Sequence, residues 1–426
     1  MLKYISINEI NFSSSWENGL IKIKAMSSFE KYMTIFWLLG PFIYLIERDP
    51  ADLWLTMIGV IFLLRCIKRK EWDWTSQIWF KSALVLWLFG LFSALTSMDP
   101  LFTFQQGFVW IRFPIYVAAA QVWLGQDRDI RILMLLTMLI GILLMCGILI
   151  AETLMEPKSR LSWPYNDLVP GGYIAKFSLP LFCVLIAIAV SSKSKAGLFC
   201  YIVGLLSIGV CALTGERTNF LILACGSVLA ALVWRPKLKL YLTLIFVKLL
   251  AVISVFLLRP DLGYNFTNTF VKQIPIMNTD TGYWGAWRGG IQQGLMTPVK
   301  GIGPSGTRNT CAYLVSSHTS WLPGENNCAN HPHNFYIQLF AEVGIIGLIL
   351  GSIMFISITV SCFKIRKTNF NCPMASTAFI IPFGLFFPIQ QFGSFYGQWG
   401  NLFTWFAIAL ALSQYQEWRK PKNTLN

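Results

Sequence analysis

Histidine and charge are both scarce in this sequence: three histidines in 426 residues, and only 13% Asp, Glu, Lys and Arg. So little charge beside 55% hydrophobic residues and a mean hydropathy of +0.56 excludes a soluble domain of this size and indicates a polytopic membrane protein. The ten cysteines fall mostly inside apolar segments and form neither a disulfide framework nor a zinc-finger spacing. No cleavable leader is expected, because residues 1–30 are polar and lack a short apolar core before a small-residue cleavage site; the first transmembrane helix serves as the insertion signal. No internal repeat is visible, and the one large polar loop lies late in the chain, unlike carriers built from two pseudo-symmetric halves. The net charge of +14 would suggest nucleic acid in a soluble protein. Here the basic residues sit in short clusters between apolar runs, so membrane orientation accounts for them and no nucleic-acid partner is expected.

What is present is a series of apolar windows. A requirement of ~20 residues to cross the hydrocarbon gives about twelve all-α spans. They lie near 32–46, 51–67, 82–98, 107–124, 131–150, 172–190, 196–213, 217–234, 240–258, 334–363, 373–389 and 400–416. Basic clusters fall in every second connection: Lys22, Lys24 and Lys31; Lys68 to Lys70; Arg128 and Arg131; Lys193 and Lys195; Arg235, Lys237 and Lys239; Lys364, Arg366 and Lys367; Arg419, Lys420 and Lys422. Because cytoplasmic loops collect Lys and Arg, both termini are expected in the cytoplasm. The expected organisation is a cytoplasmic segment 1–31, spans one to nine over 32–258, a periplasmic loop domain 259–333, spans ten to twelve over 334–416, and a cytoplasmic tail 417–426. The loop domain is too long to be structureless, so one or two short helices are expected over the bundle, with an amphipathic stretch from Tyr283 to Leu295. Cys311 and Cys328 fall in this loop, where an oxidising compartment would allow a disulfide or leave two separate buried thiols.

Two of the three histidines stand one residue apart at the end of that loop, in His331-Pro332-His333-Asn334, where it enters an apolar helix. A neutral imidazole accepts a proton from a hydroxyl as bond formation makes that proton acidic, so His333 is the candidate general base. The bland reading is a structural histidine at a helix start capped by Asn334; a metal site of His318, His331 and His333 fits no compact zinc spacing. Arginines on the outer side resist the orientation bias and are therefore informative: Arg48, Arg112, Arg160, Arg217, Arg259, Arg288 and Arg308. Arg217 lies in a very short turn, Thr214-Gly215-Glu216-Arg217, close to the bilayer boundary, where a planar guanidinium suits a lipid diphosphate. An ion pair with Glu216 is its alternative. Arg288 lies in the aromatic stretch from Tyr283 to Gly290, where its bland role is capping a surface helix, and Arg160 in the loop leading to Gly171-Gly172. Arg112 is expected to pair with a carboxylate such as Asp99. Lys248, deep in span nine, calls for a buried pair or a water-lined cavity. Glu342 lies about two and a half turns into span ten, facing the bundle, as a proton carrier, a partner for a cation or a hydrogen-bonded structural carboxylate. Histidine and arginines together describe transfer of a glycan from a polyprenyl diphosphate to an acceptor hydroxyl outside the membrane. Competing readings are an exporter or flippase that uses the arginines as a lipid path, and a metal-dependent transferase using Glu47, Asp49 and Asp52.

The run from His331 to Leu348 resembles the signature of the bacterial O-antigen ligase and O-antigen polymerase superfamily. Trp287-Arg288 with Pro298-Val299-Lys300-Gly301-Ile302-Gly303-Pro304 resembles its periplasmic-loop segment, and Leu213-Thr214-Gly215-Glu216-Arg217 its Thr-Gly-x-Arg turn, over roughly residues 100 to 415. The resemblance implies a GT-C type membrane glycosyltransferase of about twelve helices that takes an undecaprenyl-diphosphate-linked glycan and needs neither metal nor cofactor. By position His333 resembles the catalytic histidine, and Arg217 and Arg288 the diphosphate-binding arginines. Arg160, His331 and Asn334 complete the expected substrate-binding set. Glu216 departs from the family's small residue. Ligases use a lipid A-core acceptor and polymerases another repeat unit; the late single loop favours a ligase.

Overall fold

In the computed structural model, residues 12–156, 158, 160–166, 169–192, 194–234, 236, 238–268, 283–310, 331–368, 372–388 and 393–415 are described. Among them the chain is helical and contains no strand. His318, Cys311, Cys328 and most of the tail lie outside the described residues.

Six helices are long and apolar enough to cross a membrane: Arg48–Arg69, Ile78–Leu95, Arg128–Met155, Lys195–Leu213, Leu238–Leu258 and Phe335–Lys367. A seventh candidate is the pair Ser28–Leu38 and Gly40–Ile46, bent by 45° where Pro41 follows Gly40. Four shorter apolar helices, Leu179–Ser191, Arg217–Val233, Pro373–Leu385 and Trp399–Leu412, fall in the remaining windows, as does Arg112–Trp123, whereas helix Pro100–Trp110 lies mostly in the stretch left between the windows 82–98 and 107–124. Local chemistry starts several of these elements. Asp99 accepts from the Phe102 N–H at 3.2 Å ahead of Pro100, and Asp127 accepts from the Asp129 N–H at 2.7 Å.

The centre of the bundle is aromatic. Tyr44, Trp54, Tyr116, Phe177 and Phe406 are almost wholly buried, with Phe177 and Phe406 stacked at 4.0 Å and Tyr44 against Phe177 at 4.8 Å. Polar contacts gather at the two ends. At one end Arg65 and Arg69 converge on Glu30, and Lys22 of an N-terminal helix, Phe12–Ala25, bridges Asp127 and Asp129. Composition gave no sign of that helix; Gly19 seats it against Leu133. At the other end lie Asp52, Asp99, Glu152, Glu216, the segment 297–310, the histidines and residues 393–399.

Several pairings differ from expectation. Arg112 pairs with Asp52 at 2.7 Å, not with Asp99, because Asp52 stands one turn into the neighbouring helix at the same depth. Asp99 instead caps its own helix and accepts from Asn309 at 3.1 Å. The carboxylates considered for a metal are likewise engaged, Asp52 by Arg112 and Asp49 by Arg48 at 2.9 Å. Helix Leu238–Leu258 contributes no buried residue to the bundle, and Lys248 is half-buried on it with no ion pair among the described residues.

Candidate functional site

The histidine junction is built by a helix that starts and then breaks. His333 adopts φ +53°, and the Asn334 side chain accepts from the N–H groups of Tyr336 and Ile337 at 3.0 and 3.2 Å, capping helix Phe335–Thr368. The Asn334 amide also donates to the Pro388 carbonyl at 2.6 Å, tying the cap to the next membrane segment. Asn334 is thus a structural cap, one of the two roles its sequence position allowed. Ten residues on, Gly344 leaves the helical region at φ 73°, ψ −170°. The carbonyls freed before that break accept from Ile302 and Gly303 at 3.1 and 2.9 Å, and Ile345 N–H donates to Pro298 at 2.8 Å. The glycines of Gly301-Ile302-Gly303 thus serve close backbone approach: a Cβ on Gly301 or Gly344 would collide with the opposite main chain.

Glu342 is wholly buried inside this crossing. It accepts from the Ser305 N–H at 2.9 Å, the Thr307 hydroxyl at 2.7 Å and the Gln338 amide at 3.0 Å. Gln338 in turn accepts from the Phe395 N–H at 2.6 Å and donates to Ser394 at 2.8 Å. The carboxylate fastens three segments together, which fulfils the structural alternative raised for it. Gln338 went unnoticed in the sequence although its i, i+4 spacing from Glu342 was available.

The rings of His331 and His333 lie 4.2 Å apart. Neither nitrogen of His331 has a hydrogen-bond partner, and burial, then the charges of His333 and Arg308, push its pKa down to about 4. It is therefore neutral over the physiological range. Helix Tyr283–Met296, which carries a half-buried Arg288, lies against this junction, Gly290 facing Pro332 and Gly294 facing Phe340.

A second cluster surrounds the turn before Arg217. Glu216 is buried; one of its oxygens accepts from the Gly171 N–H at 2.7 Å and the other from the Asn219 amide. Arg160 and Lys176 act on it electrostatically. Lys176, 8% exposed within a single π-turn at Tyr173–Phe177, was missed; its signal was a lone cation in an apolar span, and such π-turns concentrate at functional positions. Arg160 is exposed, and Arg217 half-buried. The two clusters meet on one segment. Tyr165 packs on Trp399 at 4.7 Å, while Asn401 donates to the carbonyls of Ser394, Phe395 and Gly397, the same turn that holds Gln338. The structure thus groups His331, His333 and Asn334 with the helix of Arg288, and Arg160 with the turn of Arg217, on two sides of residues 394–401.

A bundle of apolar helices with its buried charges at the two ends defines an integral, polytopic membrane protein. Residues 202–351, about a third of the chain, match the family model described as O-Antigen ligase. The matched stretch holds Arg217, Arg288, His331, His333 and Asn334; Arg160 precedes it. No curated protein matches the chain. Members of the matched family are glycosyltransferase-like ligases and polymerases of lipopolysaccharide biosynthesis, acting on lipid-linked glycans and their acceptors in a membrane.

Proposed function

We propose that this protein is a GT-C type glycosyltransferase of the inner membrane that transfers a glycan from undecaprenyl diphosphate to a hydroxyl of lipid A-core on the periplasmic face. The observation that carries this reading is the docking of helix Tyr283–Met296 on the His331-Pro332-His333 junction inside the matched stretch 202–351. The end bearing the histidines faces the periplasm and the Lys22–Asp127 end the cytoplasm, with twelve spans once the shorter apolar helices and the Pro100–Trp123 pair are counted with the seven candidates.

In the reaction, the acceptor oxygen forms a bond to the anomeric carbon as the bond to the diphosphate breaks. His333 takes the acceptor proton, and Arg217 and Arg288, with Arg160, hold the charge that develops on the departing undecaprenyl diphosphate. Guanidinium groups supply the positive charge here, so the transfer proceeds without metal. His331, neutral and without a partner, accepts or donates one hydrogen bond to the substrate beside it.

The test is glycan transfer by purified protein from an undecaprenyl-diphosphate glycan to lipid A-core, with EDTA present. His333→Ala and Arg217→Ala are expected to abolish transfer while the protein still inserts. Full activity of His333→Ala refutes the mechanism, and loss of activity in EDTA refutes metal independence. Elongation of a lipid-linked repeat unit in place of transfer to core assigns a polymerase, and translocation in vesicles without acceptor assigns a flippase.

A further inference from the structure

Glu152 is a carboxylate that the proposed transfer does not use, yet it is wholly buried near the end of helix Arg128–Met155. A glutamate is almost never buried to this degree without partners. All of its partners come from one loop. The Ser162 N–H donates to both oxygens, at 2.9 and 3.0 Å, the Ser162 hydroxyl to Oε1 at 3.1 Å and the Trp163 N–H to Oε2 at 2.8 Å. Such charge-assisted bonds to consecutive N–H groups hold a backbone tightly.

The loop is fastened on both sides of Arg160. Two residues before it, the Lys158 carbonyl accepts from Arg259 at 2.7 Å, and two residues after it the Glu152 contacts begin. Between these points Leu161 is buried, while Arg160 is exposed with no ion pair among the described residues. Further on, the Tyr165 hydroxyl donates to the Tyr44 carbonyl at 2.6 Å. The Gly171 N–H then donates to Glu216 at 2.7 Å, which brings the chain back to the turn of Arg217. Arg160 acts electrostatically on that same Glu216, so its charge lies near the turn. A surface cation thus stands on a backbone that buried groups hold in place.

We propose that Glu152 is a positioning residue for glycan transfer: by holding the Ser162 and Trp163 N–H groups it keeps Arg160 near the Arg217 turn, where Arg160 binds the diphosphate of the lipid donor. This rests on the reading above, in which Arg160 and Arg217 hold undecaprenyl diphosphate. Loss of the carboxylate releases the loop and moves the cation with it, without touching His333.

Binding of undecaprenyl diphosphate to the purified full chain is titrated by native mass spectrometry, beside the KM for lipid A-core in transfer and the unfolding midpoint. Arg160→Ala is expected to weaken undecaprenyl diphosphate about ten-fold, the scale of one charge-assisted contact, and to leave the KM for lipid A-core unchanged. Glu152→Gln, which keeps the volume but sets an amide against the loop's N–H groups, is expected to weaken it by the same factor. The double variant Glu152→Gln/Arg160→Ala is expected to bind no worse than either single one, because the carboxylate acts through the arginine. Ser162→Ala, which removes one donor, is expected to weaken binding about two-fold, again only while Arg160 is present, and gives the same answer should Glu152→Gln fail to insert. Lys22→Ala, at the opposite end of the bundle, is expected to leave binding unchanged. Binding unaffected by Glu152→Gln or by Arg160→Ala, losses that multiply in the double variant, or an equal rise in the KM for lipid A-core overturns the inference. Full transfer by His333→Ala would remove the mechanism above, while undecaprenyl diphosphate binding still decides the role of Glu152.

Discussion

Replacing Gly344 by alanine is the most searching test of how the site is held. The backbone there, φ 73° and ψ −170°, is a region essentially restricted to glycine, and imposing it on another residue costs about 1–3 kcal/mol. Relaxation is blocked, since the added methyl would fall on the Val299 carbonyl and the Lys300 N–H region. The segment would have to withdraw and give up its bonds at Ile302, Gly303 and Ile345, which span 3.1, 2.9 and 2.8 Å. At about 0.5–1.5 kcal/mol each, these add a further ~2–4 kcal/mol. The total, about 3–7 kcal/mol, is a large fraction of a typical protein's net stability. Tryptophan-fluorescence melts in detergent should show a strongly lowered midpoint and accelerated proteolysis after Pro298. Gly147→Ala is the control, because nothing lies within 4 Å of its added methyl. A Gly344→Ala protein as stable as the Gly147→Ala protein would refute the reasoning.

Other consequences are open to the same assays. Glu342→Ala strands the Ser305 N–H, the Thr307 hydroxyl and the Gln338 amide in a buried site, so a loss of about 3 kcal/mol or more in stability is expected, with Glu342→Gln milder. Glu216→Ala frees the Gly171 N–H and the Asn219 amide and should reduce transfer through a displaced Arg217 turn, read as a raised KM for the lipid donor. Arg112→Ala leaves Asp52 without its partner and should lower the melting midpoint, restored in part by Asp52→Asn on top of it. For His331 the folded pKa, about 4, lies below the ordinary 6.5, so its contribution to stability is intact above pH 6.5 and is lost as pH falls from there toward 4. His331→Phe should flatten that acid limb of the melting curve; an unchanged limb would assign it to other groups.

Much of this arrangement was legible without coordinates. Apolar windows placed most of the helices because a membrane solvent leaves the backbone no other way to satisfy its hydrogen bonds. The run from His331 to Gly344 marked a special junction, and the Tyr283 stretch its own helix. Harder to see was which residue each charge would meet. Asp52 and Asp99 are equally plausible partners for Arg112 on paper, and only the relative depth of two helices, sixty positions apart in sequence, selects Asp52.

By itself the sequence determined the class of protein and where its apolar helical segments fall, since both follow from local composition and spacing. Tertiary structure alone decided that Glu342 is a fastener, that Gly344 breaks its helix to receive the Gly301-Ile302-Gly303 segment and that Lys176 acts electrostatically on Glu216 beside Arg217. Those outcomes depend on which side chains are desolvated together, and a buried polar group settles its partners only when distant segments have closed around it.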